Sequence, residues 1–197
     1  MYTTTETASH SYPDEKSISE NRARYFEANG FGDGGYNDTW VTLKRIWGFR
    51  IGIPNTAGRV RAVRLHDIHH VLAGYGTNWT GEAEIGAFEI GAGCGRHYAA
   101  WVLNGSTLVY GIFIAPRKVF RAFVRGRHAT SLYSGEWRDS ILEEITGDLR
   151  TKLRIGREIP AATLSDVLAF GVVISVVFTL TTAPLLLVGS LLSIAFG

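Results

Sequence analysis

Apolar and polar positions recur at three-to-four spacing through the middle of the chain, and they predict an all-α fold. Val60, Val63, Asp67, His70 and Val71 share such a pattern, with Pro54-Asn55-Thr56 just ahead as a helix start. Gly74-Tyr75-Gly76-Thr77-Asn78 breaks that helix, and Asn78 or Thr80 is placed to cap the next one. The second helix carries Glu82, Ala83, Ile85, Gly86, Phe88, Glu89 and Ile90 and fades over Gly91 to Gly95. Earlier in the chain, Ser19 is the expected cap of a short helix through Ala28, stopped by Asn29-Gly30. Gly32-Asp33-Gly34-Gly35 then reads as a loop. Trp40 to Ile53 mixes aromatic, β-branched and basic residues, but no β-hairpin pattern and no internal repeat stand out.

Two apolar segments follow. Tyr98 to Pro116 has no charge, but Asn104, Gly105, Ser106 and Thr107 interrupt its middle. A spanning helix needs about 20 apolar residues, so a buried or interfacial helix fits this segment better. Val167 to Gly197 is apolar throughout, with Pro184 near its middle. That run predicts a transmembrane helix or a helical hairpin. Three parts result: a polar tail over residues 1–17, a helical domain over 18–160 and a hydrophobic membrane anchor over 163–197.

Composition narrows the classes. Of 197 residues, 46% are hydrophobic and 19% charged, which excludes a disordered or collagen-like chain. The single cysteine, Cys94, excludes a disulfide framework and a four-cysteine zinc site, and is expected to be a small buried residue. The polar start lacks the basic and apolar regions of a secretory signal. A net charge of +2 argues against a general nucleic-acid binder, but the charge is uneven. Three basic residues stand against seven acidic ones up to Trp40, and ten against five from Arg117 to Arg157. Every basic residue precedes the uncharged terminal run, which places the basic side on the cytoplasmic face of a membrane. The run Arg117, Lys118, Arg121, Arg125, Arg127 follows an apolar segment, so anionic lipid headgroups are its expected partner, ahead of nucleic acid.

Candidate chemistry is concentrated between Leu65 and Glu89. His66 and His70 are four apart on one helix, so their rings lie a turn apart on one face. Asp67 projects near that side, and a short turn returns Glu82 against the pair. Two imidazoles with one or two carboxylates make a divalent-metal site with open positions, and His66, Asp67, His70 and Glu82 are the expected ligands. The alternative is that they are helix-surface polar residues, or that a histidine caps a buried carboxylate. Zinc is taken first, with iron and manganese equally suited to such donors. His69 points about 100° from His70 and is a weaker candidate. Glu89, two turns on from Glu82, is a capping or solvated carboxylate ahead of an outer-sphere acid. Glu84 reads as exposed, and His97 and His128 as ordinary residues. Gly74 and Gly76 serve a turn, since no phosphate-binding fingerprint surrounds them.

His66-Asp67-x-x-His70, followed after eleven residues by Glu82, resembles the signature of the "Coq-four" family of ubiquinone (coenzyme Q) biosynthesis proteins. Gly81-Glu82-Ala83 and the Arg150-to-Ile155 stretch are similar too, and the resemblance covers roughly Asn37 to Ile159. It implies an all-helical protein holding a divalent ion on His66, Asp67, His70 and Glu82. It further implies membrane association, binding of long isoprenoid lipids and work alongside other quinone-biosynthesis proteins, with homo-oligomerisation left open. The implied activity is oxidative decarboxylation and hydroxylation of a prenylated hydroxybenzoate at the bacterial inner membrane, the ion activating water or dioxygen near Glu82 or polarising the carboxylate. The competing reading is a non-catalytic prenyl-lipid-binding scaffold that organises the biosynthetic complex. The uncharged run from Val167 onward departs from the family pattern as an added extension.

Overall fold

The computed structural model describes residues 12–42, 52–156 and 158–196, with side chains on the last helix described as far as Leu180. Expectations for residues 1–11 lie outside this range. The described residues are mostly helical: α1 (Ile18–Asn29), α2 (Ala57–Ala73), α3 (Trp79–Ala92), α4 (Tyr98–Ile114), α5 (Pro116–Arg127), α6 (Thr146–Lys152) and α7 (Leu164–Phe196). Two 3₁₀ turns, Leu132–Ser134 and Asp139–Glu143, lie between α5 and α6. The all-α expectation holds for the bulk of the chain. One correction is a short antiparallel pair, β1 (Trp40–Thr42) with β2 (Gly52–Pro54), in register Trp40↔Pro54. Three-residue strands are too short to leave the alternation from which strands are read.

Helix starts follow side-chain chemistry. The Ser17 hydroxyl accepts from the Glu20 amide while the Glu20 carboxylate accepts from the Ser17 amide, so the cap of α1 is Ser17 and not Ser19. This is a capping box, which satisfies two amides that a lone serine at Ser19 would leave open. Thr56 caps α2 and Asn78 caps α3, each accepting from the amide three residues on. Residues 12–17 are not a free tail: Tyr12 is buried, Pro13 accepts a hydrogen bond from Asn21, and Ser17 bridges to Ile145.

Helix α3 is the centre of the domain and crosses α5 and α4 at backbone contact. A Cβ at Gly126 would overlap the carbonyl oxygen of Phe88, and one at Gly86 would overlap the hydroxyl of Thr107. Asn104 and Thr107, which interrupt an apolar run by sequence, therefore line a close-packing seam, whereas Ser106 is exposed. Gly105 faces Val177 of α7 on the other side.

The end of α2 is held by two arginines. Arg150 donates to the carbonyls of Val71 and Leu72, and Arg125 to that of Ala73, while Gly74 takes the left-handed conformation beyond (φ 77°). These are carbonyls that a helix end leaves unpaired, so the two cations complete it. Arg125 is thereby buried, stacked over Tyr75 and Phe88, and does not belong to a lipid-facing basic run. Arg117, Lys118, Arg121 and Arg127 of that run are exposed, and Arg127 donates to Asp166 at the foot of α7.

Helix α7 runs unbroken through Pro184, which corrects the hairpin alternative. Its first half docks on α4 and α5 through Phe170, Val173, Ile174 and Val177, with Phe170 against Phe120 and Phe123. Leu164, Leu168, Val172, Val176 and Leu180 remain more than half exposed on the opposite side. Among the described residues, no helix is long and apolar enough to cross a membrane. Asp166, Ser175 and Thr179 punctuate the described part of α7.

Candidate metal centre

Helices α2 and α3 bring His66, His70 and Glu82 together. The Nε2 atoms of His66 and His70 are 3.1 Å apart. Glu82 places one carboxylate oxygen 3.6 Å from His66 Nε2 and the other 3.9 Å from His70 Nε2. Ligand atoms about 2.1 Å from a tetrahedral ion are roughly 3.4 Å from one another, so these separations bracket the geometry that a divalent ion needs. His70 is fully buried, whereas His66 and Glu82 keep side-chain exposures of 18% and 25%, so the cluster opens to solvent along one edge.

The far nitrogen of each ring fixes what the near one can do. His70 Nδ1 lies 3.0 Å from the Tyr75 carbonyl, which only accepts, so this nitrogen carries the proton. His66 Nδ1 lies 3.0 Å from the Glu89 carboxylate and donates to it likewise. In neutral rings both Nε2 atoms then hold lone pairs, and they face one another. Two acceptors at this distance beside a carboxylate require a cation between them, either a proton or a metal ion. Burial opposes charge on His66, but Glu89 and Glu82 outweigh it and hold its pKa well above the ordinary imidazole value. Burial, followed by the charge of His66, pushes His70 down to about 4. Facing both Glu82 and Glu89, His66 is the ring of the pair that favours a proton in the absence of a metal.

Asp67 does not join this group. One residue after His66 on the helix, it points 100° round the axis, and its carboxylate accepts a 2.5 Å hydrogen bond from the Tyr36 hydroxyl. Burial raises its pKa to about 6. Of the four expected ligands, the structure thus gathers three and directs the fourth to a separate contact.

Glu89 is the residue that sequence reasoning undervalued. Its fully buried carboxylate accepts from His66 Nδ1, His69 Nδ1 (2.7 Å), Asn104 Nδ2 (2.6 Å) and the Tyr133 hydroxyl (3.1 Å). Burial works against its charge, but His66 and His69 prevail and hold its pKa well below the usual carboxylate range. Asn104 signalled this in advance, since an amide in the middle of an apolar helix needs a buried partner. His69 is a structural link, its Nε2 accepting from the Leu132 amide. Cys94 is buried beside Asn104, and burial pushes its thiol up to about 12. Glu84 is half-buried and His128 lies 3.7 Å from Asp166, both away from the cluster.

No protein-family model, curated protein or solved structure matches this chain.

Proposed function

We propose that the chain is a metal-dependent enzyme of prenyl-quinone synthesis, acting on a prenylated hydroxybenzoate at a membrane. The observation that carries the metal is the pair of facing lone-pair nitrogens on His66 and His70 with Glu82 beside them. Three protein donors with an open edge favour catalysis over a structural site, because structural ions are closed by a fourth protein ligand. A divalent ion held there supplies Lewis acidity toward an acidic head group. Glu89 holds His66 in the tautomer that binds, and Tyr75 does the same for His70. Zinc is the first choice, with iron and manganese equally suited to two imidazoles and a carboxylate.

The lipid part of the reading rests on the α4–α7 flank. Val102 and Phe113 of α4, and Leu168, Val172 and Leu180 on the undocked side of α7, are all more than half exposed. An apolar crevice of about 230 Å³ lies between these helices, walled by Val109, Ile112, Phe113, Ile174, Val177 and Phe178. An exposed apolar surface on the helix whose sequence carries the uncharged terminal run suits a membrane surface and an isoprenoid tail. Together with the motif resemblance, this points to a ligand with an acidic aromatic head and a long apolar tail. The scaffold reading keeps the lipid and drops the reaction.

Purified full-length protein is to be loaded with zinc, iron or manganese and given a prenylated 4-hydroxybenzoate in detergent. Metal-dependent loss of the carboxylate, abolished in Glu82→Gln at normal protein abundance, is the expected result. Binding of the lipid without turnover under all three metals, equally in Glu82→Gln, would replace the enzyme with the scaffold.

A further inference from the structure

A second site lies away from the three metal-binding side chains. The start of α2, the loop leading into α4 and the chain after the Leu132–Ser134 turn enclose a cavity of about 630 Å³. That volume is in the range of small-molecule sites. Arg61 and Arg64, one turn apart on α2, enter its wall from one side and Arg96 from another. The single acid in the wall, Glu136, is 3.7 Å from Arg96, and with side-chain exposures of 92% and 86% that pair is a weak, solvent-screened contact. Among the described residues, no carboxylate pairs with Arg61 or Arg64. The wall therefore carries a positive excess, three arginines against one glutamate.

Arg64 is also held in place. Its guanidinium lies over the rings of Tyr36 and Trp137, 5.1 and 5.4 Å from their centroids. A cation–π contact uses up no hydrogen-bond donor, so the N–H groups of Arg64 remain for an acceptor such as a carboxylate or phosphate. Trp137, Tyr98 and Tyr133 give the same cavity aromatic walls. Charge alone would suit any anion, and the rings narrow the choice.

We propose that this cavity binds a small aromatic anion, its carboxylate or phosphate group held by Arg61, Arg64 and Arg96 and its ring against Trp137. None of the lining residues is a candidate metal ligand, so the site stands independently of the metal reading. It is nevertheless close to that cluster, because Tyr133 lines the cavity and donates to Glu89.

The test uses full-length, detergent-solubilised protein stripped of metal, titrated calorimetrically with benzoate, phenyl phosphate, benzyl alcohol and inorganic phosphate. Benzoate or phenyl phosphate is expected to saturate at one per chain, with benzyl alcohol and inorganic phosphate at least about tenfold weaker. The tighter of the two aromatic anions identifies the charged group. Arg61→Gln with Arg96→Gln, both at exposed positions, is expected to weaken that binding by about tenfold or more, with an unchanged unfolding midpoint. Four results would each overturn the proposal: no saturation by either aromatic anion up to about 10 mM, benzyl alcohol as tight as benzoate, inorganic phosphate as tight as phenyl phosphate, or a double variant that binds like the parent. Because the protein is metal-free, failure here leaves the metal reading intact.

Discussion

Helices α2 and α3 carry two polar clusters built from the same residue types with opposite outcomes. Around Glu89, one buried carboxylate meets four donors, from His66, His69, Asn104 and Tyr133, so its acceptor capacity is filled. Seven residues earlier on the same helix, Glu82 meets two imidazoles whose near nitrogens, with both rings neutral, are acceptors like itself. The first cluster is satisfied and locks the fold; the second has the spacing to take a cation, a proton on the imidazole pair or the proposed metal ion. His66 belongs to both, donating through Nδ1 to the closed cluster and offering Nε2 to the open one. The number of protons available, more than the identity of the residues, separates the structural histidine–carboxylate network from the proposed metal site.

The largest expected effect comes from breaking the closed cluster. Glu89→Ala leaves two imidazoles, an amide and a phenol buried without their acceptor. Loss of one partner of a buried charged network costs about 3–5 kcal/mol, read as a fall in chemical-denaturation midpoint. Glu89→Gln keeps the volume and is expected to fold, but with metal affinity lowered about 10–100-fold, as for other residues that orient a ligand. A metal affinity unchanged in Glu89→Gln would separate the two clusters.

A smaller effect tests the open cluster against pH. The raised pKa of His66 means that its proton stabilises the metal-free fold fully below about 6.5, the value for an unfolded imidazole. That contribution is lost as pH rises through the higher folded value. A metal ion bound there would displace the same proton, so metal affinity should rise with pH over this window and level off above it. Thermal unfolding of metal-free and metal-loaded protein across pH 6 to 9 should therefore diverge toward alkaline pH. Parallel curves would show that no proton is displaced.

The smallest effect is at the foot of α7, away from both clusters. Asp166 accepts from the amide and hydroxyl of Thr163 and from Arg127, which hold its pKa below the usual carboxylate range. Asp166→Asn weakens a helix cap and is expected to cost about 1 kcal/mol. The contribution of the native carboxylate is present above about pH 4 and fades as pH falls below it. Metal content should be the same in this variant, which makes it a control for general destabilisation.

Much of this was legible from periodicity. Caps at Thr56 and Asn78 and the break at Gly74 are local features, so α2 and α3 were placed correctly, and with them His66, His70 and Glu82. What helical spacing could not show was the partner across the gap. Asp67 is one residue from His66, but the Tyr36 hydroxyl, contributed by a distant loop, decides its role. Arg125 looked like part of a basic run because sequence does not reveal that the end of α2 lies beside it. Asn104 and Glu89 were each visible as oddities, a polar residue in an apolar helix and an acid two turns from a candidate ligand. Only the α3–α4 crossing at Gly86 shows that they explain each other.

The central claim, a divalent ion held by three side chains and not four, is tested most directly by metal stoichiometry across single variants. Protein purified without chelator and reloaded with zinc should hold about one ion per chain, measured by elemental analysis after desalting. His70→Ala and Glu82→Gln should lose most of it, whereas Asp67→Asn, whose side chain faces Tyr36, should keep it. A parent protein that retains no stoichiometric metal would contradict the account, and so would loss of the ion in Asp67→Asn with the fold intact.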